Sequence, residues 1–249
     1  MTSGERDYHD RHYEAEAALM RSALFERVHA RDARAFLRAT GASRAHRVLS
    51  LGCGEGSIER HLAPHVGEIV GLDISAVTIE QARGLAQAAG HRNLSFIVAD
   101  EAALRLEGLG EFDVVAAFAF LHHLGDGAIR ETLSAARRVL RPGGAFYSSD
   151  PSRRRLVRLL AGLVRGSYER YHSPDERELD PEVLAALAGE AGLGSAAIGY
   201  VDYFLGPLAW LAPRTPRWLG ATLGALDAAA VRVPLLRRYA SSFSLLARA

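Results

Sequence analysis

The chain has 249 residues, of which 49% are hydrophobic and 24% charged; this is ordinary for a globular protein and enough for one large α/β domain with its own core. Its net charge of +1 argues against an obligate nucleic-acid partner, because backbone phosphates favour a strongly basic face. All 30 basic residues are arginine, which excludes Schiff-base catalysis, a P-loop lysine and a Tyr-x-x-x-Lys dehydrogenase site.

The N-terminal segment is polar and charged, with no apolar signal core, and a cytoplasmic location is expected. From Glu14 to Thr40 the pattern is helical, with Met20, Leu24 and Val28 at four-residue steps and Thr40-Gly41 as a stop. Strand one is predicted at Val48–Leu51, followed by a helix over Ser57–His65. Strand two runs from Ile69 to Leu72, and Ser75 caps a helix that reaches Ala89. Leu94–Ala99 is strand three, and Phe112–Phe118 is a buried fourth strand, continuously apolar as a parallel sheet requires. A helix over Ala128–Leu140 is ended by Arg141-Pro142-Gly143-Gly144, and Ala145–Ser149 makes strand five.

The second half is less regular. An Arg-rich amphipathic stretch begins at Pro151, with Leu156, Leu159, Leu160, Leu163 and Val164 on one helical face. Asp180-Pro181 starts a helix that Gly192 ends, and Ala196–Phe204 is a strand. A second insertion, Leu205–Tyr239, carries Trp210, Trp218 and a stripe of Leu219, Leu223, Leu226, Ala230 and Val233, before a last strand at Ser242–Ala247. The expected fold class is α/β: a Rossmann-like, doubly wound and mainly parallel seven-stranded sheet whose last strand is antiparallel. A single domain over 1–249 is expected, with an N-terminal helical cap or lid at 1–45, a cofactor-binding core at 46–150, and substrate-side insertions at 151–180 and 205–240.

The most telling stretch lies between strand one and its helix, where Gly52-Cys53-Gly54-Glu55-Gly56 places glycines as G-x-G-x-G. Such a loop lets the backbone approach a ligand closely, and the following helix directs free N–H groups at it. Strands two and three each end on an acid, Asp73 and Asp100. An acid at the end of the second strand faces a ribose, and its paired oxygens can accept from vicinal hydroxyls. A nicotinamide oxidoreductase shares this arrangement, but its third glycine belongs one position beyond Gly56. Cys53 is the only cysteine, so neither an internal disulfide nor a cysteine metal cluster can form.

These motifs, with Phe112-Asp113-Val114-Val115 through Leu121-His122-His123-Leu124 and Val139-Leu140-Arg141-Pro142-Gly143-Gly144, resemble a class I S-adenosylmethionine-dependent methyltransferase. The likeness covers roughly 46–150. It is greatest to the group that methylates small molecules, which includes quinone-biosynthesis and natural-product enzymes. The resemblance implies that Gly52, Gly54 and Gly56 pass beneath the methionine part of S-adenosylmethionine, that Asp73 holds the ribose, and that Asp100 accepts from the adenine amino group. It also implies that Ile74 and Ala102 flank the adenine and that Phe118 lies beside the sulfonium. Where the family usually has an acid this chain has Ser50, so Glu55 or water is expected to take over that contact.

His122 or His123, directly after strand four, is the candidate general base for an oxygen or nitrogen acceptor, and carbon methylation could proceed by positioning alone. A structural role, one ring capping the next helix, is the alternative. Tyr13, Tyr168, Tyr171, His172 and Trp210 are candidate substrate contacts. His9 and His12 sit in the possible lid, but no acid or cysteine completes that spacing, and no metal is assigned. The acceptor is expected to be a small molecule of lipid-like or natural-product character. The apolar faces of the insertions and the arginines at 153–155 and 237–238 fit peripheral lipid contact; a homodimer interface or a simple helical cover fits them as well. A catalytically silent cofactor-binding protein is the remaining alternative.

Overall fold

The computed structural model describes residues 17–99, 106–156 and 176–249. Expectations for the first sixteen residues, for Asp100 and Ala102, and for most of the first insertion lie outside them. Seven strands form one sheet: β1 Arg47–Leu51, β2 Glu68–Asp73, β3 Leu94–Val98, β4 Phe112–Phe118, β5 Leu140–Pro151, β6 Gly194–Asp202 and β7 Ser242–Arg248. Their order is β3-β2-β1-β4-β5-β7-β6, and β7 runs antiparallel to both of its neighbours. The expected fold class is therefore observed.

Alternation along the central strands builds two cores. In β1, Leu49 and Leu51 face one core while Val48 faces the other; in β4, Val115 and Ala117 face the first and Val114, Ala116 and Phe118 the second. The first core is closed by α4 Asp126–Val139 and α5 Pro181–Glu190. The second is closed by α1 Ala23–Thr40, whose Phe36 is wholly buried, and by α2 Ser57–Leu62. Helix α3, Ala76–Ala88, covers the β3 edge of the sheet through Ile79, Ala82 and Ala86, which pack with Phe96 of β3.

Several boundaries differ from expectation for local reasons. The N-terminal helix is interrupted at Arg21-Ser22, because the Ser22 side chain accepts from the Phe25 amide and starts a new helix there. Helix α2 stops at Leu62 rather than His65: Ala63 keeps helical angles and still donates to the Glu59 carbonyl, but Pro64 has no N–H to continue the ladder. Strand β5 begins at Leu140, so the Arg141–Gly144 segment belongs to it, with a register shift against β4 between Phe112 and Val114.

The second insertion folds as α6 Leu205–Leu211, α7 Arg217–Ala230 and α8 Pro234–Arg237, between β6 and β7. Leucines of the expected α7 stripe are not its buried face. The buried α7 residues are Gly220 and Asp227. A Cβ on Gly220 would sit 2.7 Å from Leu24 Cδ1, so α7 approaches α1 closely there. Asp227 reaches back to cap α6, accepting from the amides of Tyr203, Phe204 and Leu205 at 2.9–3.0 Å. Arg31 of α1 locks this assembly to the sheet by pairing with the fully buried Asp202 at 2.8 Å and with Asp32 at 2.9 Å.

Candidate active site

In this strand order the chain reverses direction across the sheet between β1 and β4, and open α/β sheets bind ligands in the crevice beyond the strand ends at such a point. The glycine loop leaves β1 there. Gly52, Gly54 and Gly56 all adopt positive φ, at 63°, 51° and 71°. The first is enforced by packing: a Cβ on Gly52 would lie 2.2 Å from the Phe120 ring. Gly54 is different, because nothing lies within 4 Å of where its Cβ would sit. The open side of the loop is therefore at Gly54.

Asp73 ends β2 beside this opening. Its carboxylate accepts from the Gly54 amide at 2.8 Å, from the Ser75 amide at 3.0 Å and from the Thr78 hydroxyl at 3.3 Å. One carboxylate thus fixes both the glycine loop and the start of α3, with lone pairs left for further donors. Ile74 is half-buried next to it. Glu55 is buried and held by Arg21 at 2.7 Å and by the Ser57 hydroxyl at 3.2 Å.

The Ser50 position has a different partner from the one expected. Its hydroxyl donates 2.5 Å to Glu59 Oε1, on α2. Glu59 is 2% exposed, and burial pushes its carboxyl above the usual range. An acid is therefore present at Ser50, supplied by the helix instead of the strand. The sequence held no signal for it, since Glu59 reads as an ordinary helical residue.

At the end of β4 the backbone is strained. Ala119, a non-glycine residue, has φ of 48°, and this left-handed step folds Phe120 over Gly52. Phe118 does not extend past the strand but packs edge-on against Phe36 and beside Tyr147, with centroids 5.6 and 5.7 Å away. Its ring belongs to the second core, and Phe120 is the aromatic residue that meets the loop.

A short turn, Leu121–His123, then presents both histidines, with ring centroids 4.1 Å apart. Asp150, at the end of β5, accepts from the His122 amide at 3.2 Å and lies 3.2 Å from His122 Nδ1. Burial raises the Asp150 carboxyl to about 7. Glu176 approaches from the far side, 3.9 Å from His122 Nε2 and 3.9 Å from His123 Nδ1. The segment carrying it is anchored by Arg177, whose amide donates to the His122 carbonyl and whose guanidinium donates to the Leu124 carbonyl and pairs with Asp126 at 2.6 Å. Sequence reasoning found the histidines but missed Asp150, Glu176, Glu59 and Phe120, which are brought in from other elements.

Trp210 lies in α6 and meets Phe25 edge-on at 5.0 Å, so it joins the insertion to α1. Tyr13, Asp100, Ala102, Tyr168, Tyr171 and His172 lie outside the described residues. Of the arginines expected to meet an anionic group, Arg154 is paired with Asp180 and Glu182, and Arg155 with Glu178.

A glycine loop open at Gly54, a carboxylate at the end of β2 and a crevice at the β1/β4 reversal fit S-adenosylmethionine. Comparison with known proteins agrees. Residues 48–144 match the family described as a methyltransferase domain. The chain is 30% identical over 194 residues to the malonyl-[acyl-carrier protein] O-methyltransferase of Enterobacter lignolyticus, covering 77% of this chain and 71% of that protein. It is 27% identical over 166 residues to the ubiquinone biosynthesis O-methyltransferase of Aromatoleum aromaticum, covering 63% of this chain and 68% of that protein. The fold is also that of magnesium protoporphyrin IX methyltransferase from Synechocystis PCC 6803, solved with bound SAH, at a TM-score of 0.65 and 17% identity over 98% of this chain and 97% of that one. The chain belongs to the class I S-adenosylmethionine-dependent methyltransferases and is a methyl-transferring enzyme.

Proposed function

We propose that this enzyme methylates an oxygen or carbon of a small, lipid-like or natural-product-like acceptor in the cytoplasm, as a single domain whose insertions at 151–180 and 205–240 face the substrate, lipid or a second copy. The observation that carries this reading is the convergence of His122, His123, Asp150 and Glu176 at the end of β4, next to the loop that Phe120 covers. The names of the relatives support an oxygen acceptor.

When bound, S-adenosylmethionine supplies a methyl group on a positively charged sulfur with a good leaving group behind it. Gly52, Gly54 and Gly56 line its methionine part, with Glu55 beside them. Asp73 and Ile74 hold the ribose and adenine, and Asp100 and Ala102 complete the adenine side. Phe118 backs the site from the second core. His123 is the general base, because it is the less buried of the two rings, whereas His122 is engaged by Asp150. With Asp150 ionised, His122 Nδ1 carries the proton and the pair fixes the turn that presents His123. Glu176 steadies the imidazolium formed when the acceptor loses its proton.

Calorimetry with S-adenosylmethionine and NAD, followed by mass spectrometry of host metabolite extract incubated with labelled donor, tests this reading. His123→Ala is expected to slow label transfer roughly 10²- to 10⁴-fold with donor affinity retained, and Asp73→Ala to weaken donor binding. Tight binding of NAD in place of the methyl donor, or equal loss of both properties in His123→Ala, overturns it.

A further inference from the structure

The outer surface of the second insertion combines an uncharged helix face with exposed arginines and no exposed acid. From Trp218 to Val231 every exposed residue is uncharged, because the segment's one acid, Asp227, is buried in the α6 cap. A helix facing water ordinarily carries charge on its outer face. Here that face is Trp218, 69% exposed, with Leu226 and small residues; α8 and its approach add Val233, Leu235 and Leu236, with Leu235 74% exposed.

Arginines flank these apolar residues along the chain. Arg214, Arg217, Arg232, Arg237 and Arg238 are all exposed, and none has a carboxylate partner among the described residues. No exposed acid occurs between 203 and 241. This contrasts with Arg154 and Arg155, which are neutralised by Asp180, Glu182 and Glu178.

We propose that the α7–α8 surface docks on an anionic lipid bilayer, with Trp218, Leu235 and Leu236 entering the headgroup region and the five arginines meeting lipid phosphates. Exposed apolar side chains interspersed in the chain with cations alone match an interfacial anchor: apolar burial supplies adhesion and the basic residues supply preference for negative headgroups. A second copy of the chain fits less well. A two-fold interface sets the same patch against itself, which would bring unpaired arginines face to face. No described helix is long and apolar enough to cross a membrane, so the contact is peripheral. It goes beyond the catalytic reading and does not depend on the identity of the acceptor.

Flotation of the full chain with vesicles of phosphatidylcholine alone, or mixed with phosphatidylglycerol, tests the proposal. The protein is expected to float with the mixed vesicles at low salt, to float poorly with the neutral ones, and to be released by salt. Arg237→Gln with Arg238→Gln is expected to weaken partitioning roughly 30-fold, at about fivefold per basic side chain. Trp218→Ala with Leu235→Ser is expected to weaken it as well, while circular dichroism and donor binding stay unchanged. Brominated lipid in the mixed vesicles should quench the emission that Trp218→Phe removes. Absence of flotation on anionic vesicles, or binding indifferent to the arginine pair, overturns the proposal. So does concentration-dependent self-association that shields Trp218 without vesicles.

Discussion

The Ser50 hydroxyl donates 2.5 Å to the Glu59 carboxyl, and the two side chains form a buried polar contact between β1 and α2. A strand acid and a helix acid therefore compete for one buried space. Ser50→Asp, which restores the residue usual in the family, is expected to lose about 1–3 kcal/mol of stability because a second carboxyl enters without a donor. Adding Glu59→Ser should recover most of it. Urea unfolding of the single and double variants checks this, and additive losses would show that the positions do not compensate.

Gly52 and Phe120 form a second interlock. Gly52→Ala meets both the Phe120 ring and a φ of 63°, and is expected to cost about 1–3 kcal/mol and to weaken donor binding. Phe120→Ala in the same chain removes the clash but not the backbone strain, so thermal melts should show partial recovery.

Arg31 pairs with the buried Asp202 and with the half-buried Asp32, across the seam between α1 and β6. Arg31→Met leaves both without their cation and is expected to cost about 3–5 kcal/mol. Adding Asp202→Asn should return part of the loss, as measured by denaturant midpoint at constant slope.

His29 gives a pH dependence. Burial, followed by the nearby His61, Arg60 and Arg31, lowers its pKa from 6.5 to about 3. The unfolded chain therefore binds a proton that the native state refuses, and stability is lost as pH falls from about 6.5 towards 3, at up to about 1.4 kcal/mol per pH unit. Asp150 acts oppositely: its raised pKa contributes stability at low pH that is lost as pH rises towards about 7. The difference between wild type and His29→Leu isolates the first effect, and identical pH profiles would refute it.

The strands were legible because parallel β-strands covered on both faces read as apolar runs, as in Phe112–Phe118. Ser75 and Asp180 announced their helices by local capping, which needs no distant partner. The stripe on α7 did not reveal what the helix packs against, for the opposite reason. Periodicity identifies an apolar face but not what lies opposite it, and α7 turns Gly220 and Asp227 inward to meet α1 and α6.

By itself the sequence determined the order of strands and helices, the G-x-G-x-G loop, the acid ending β2 and the histidine pair, because each depends on neighbours within a few residues. Tertiary structure alone decided that Glu59 answers Ser50, that Phe120 rather than Phe118 covers Gly52, and that Asp150 and Glu176 bracket the histidines. Those contacts join side chains 9 to 68 residues apart, and only the crossovers of a parallel sheet and the burial of their shared core bring them together.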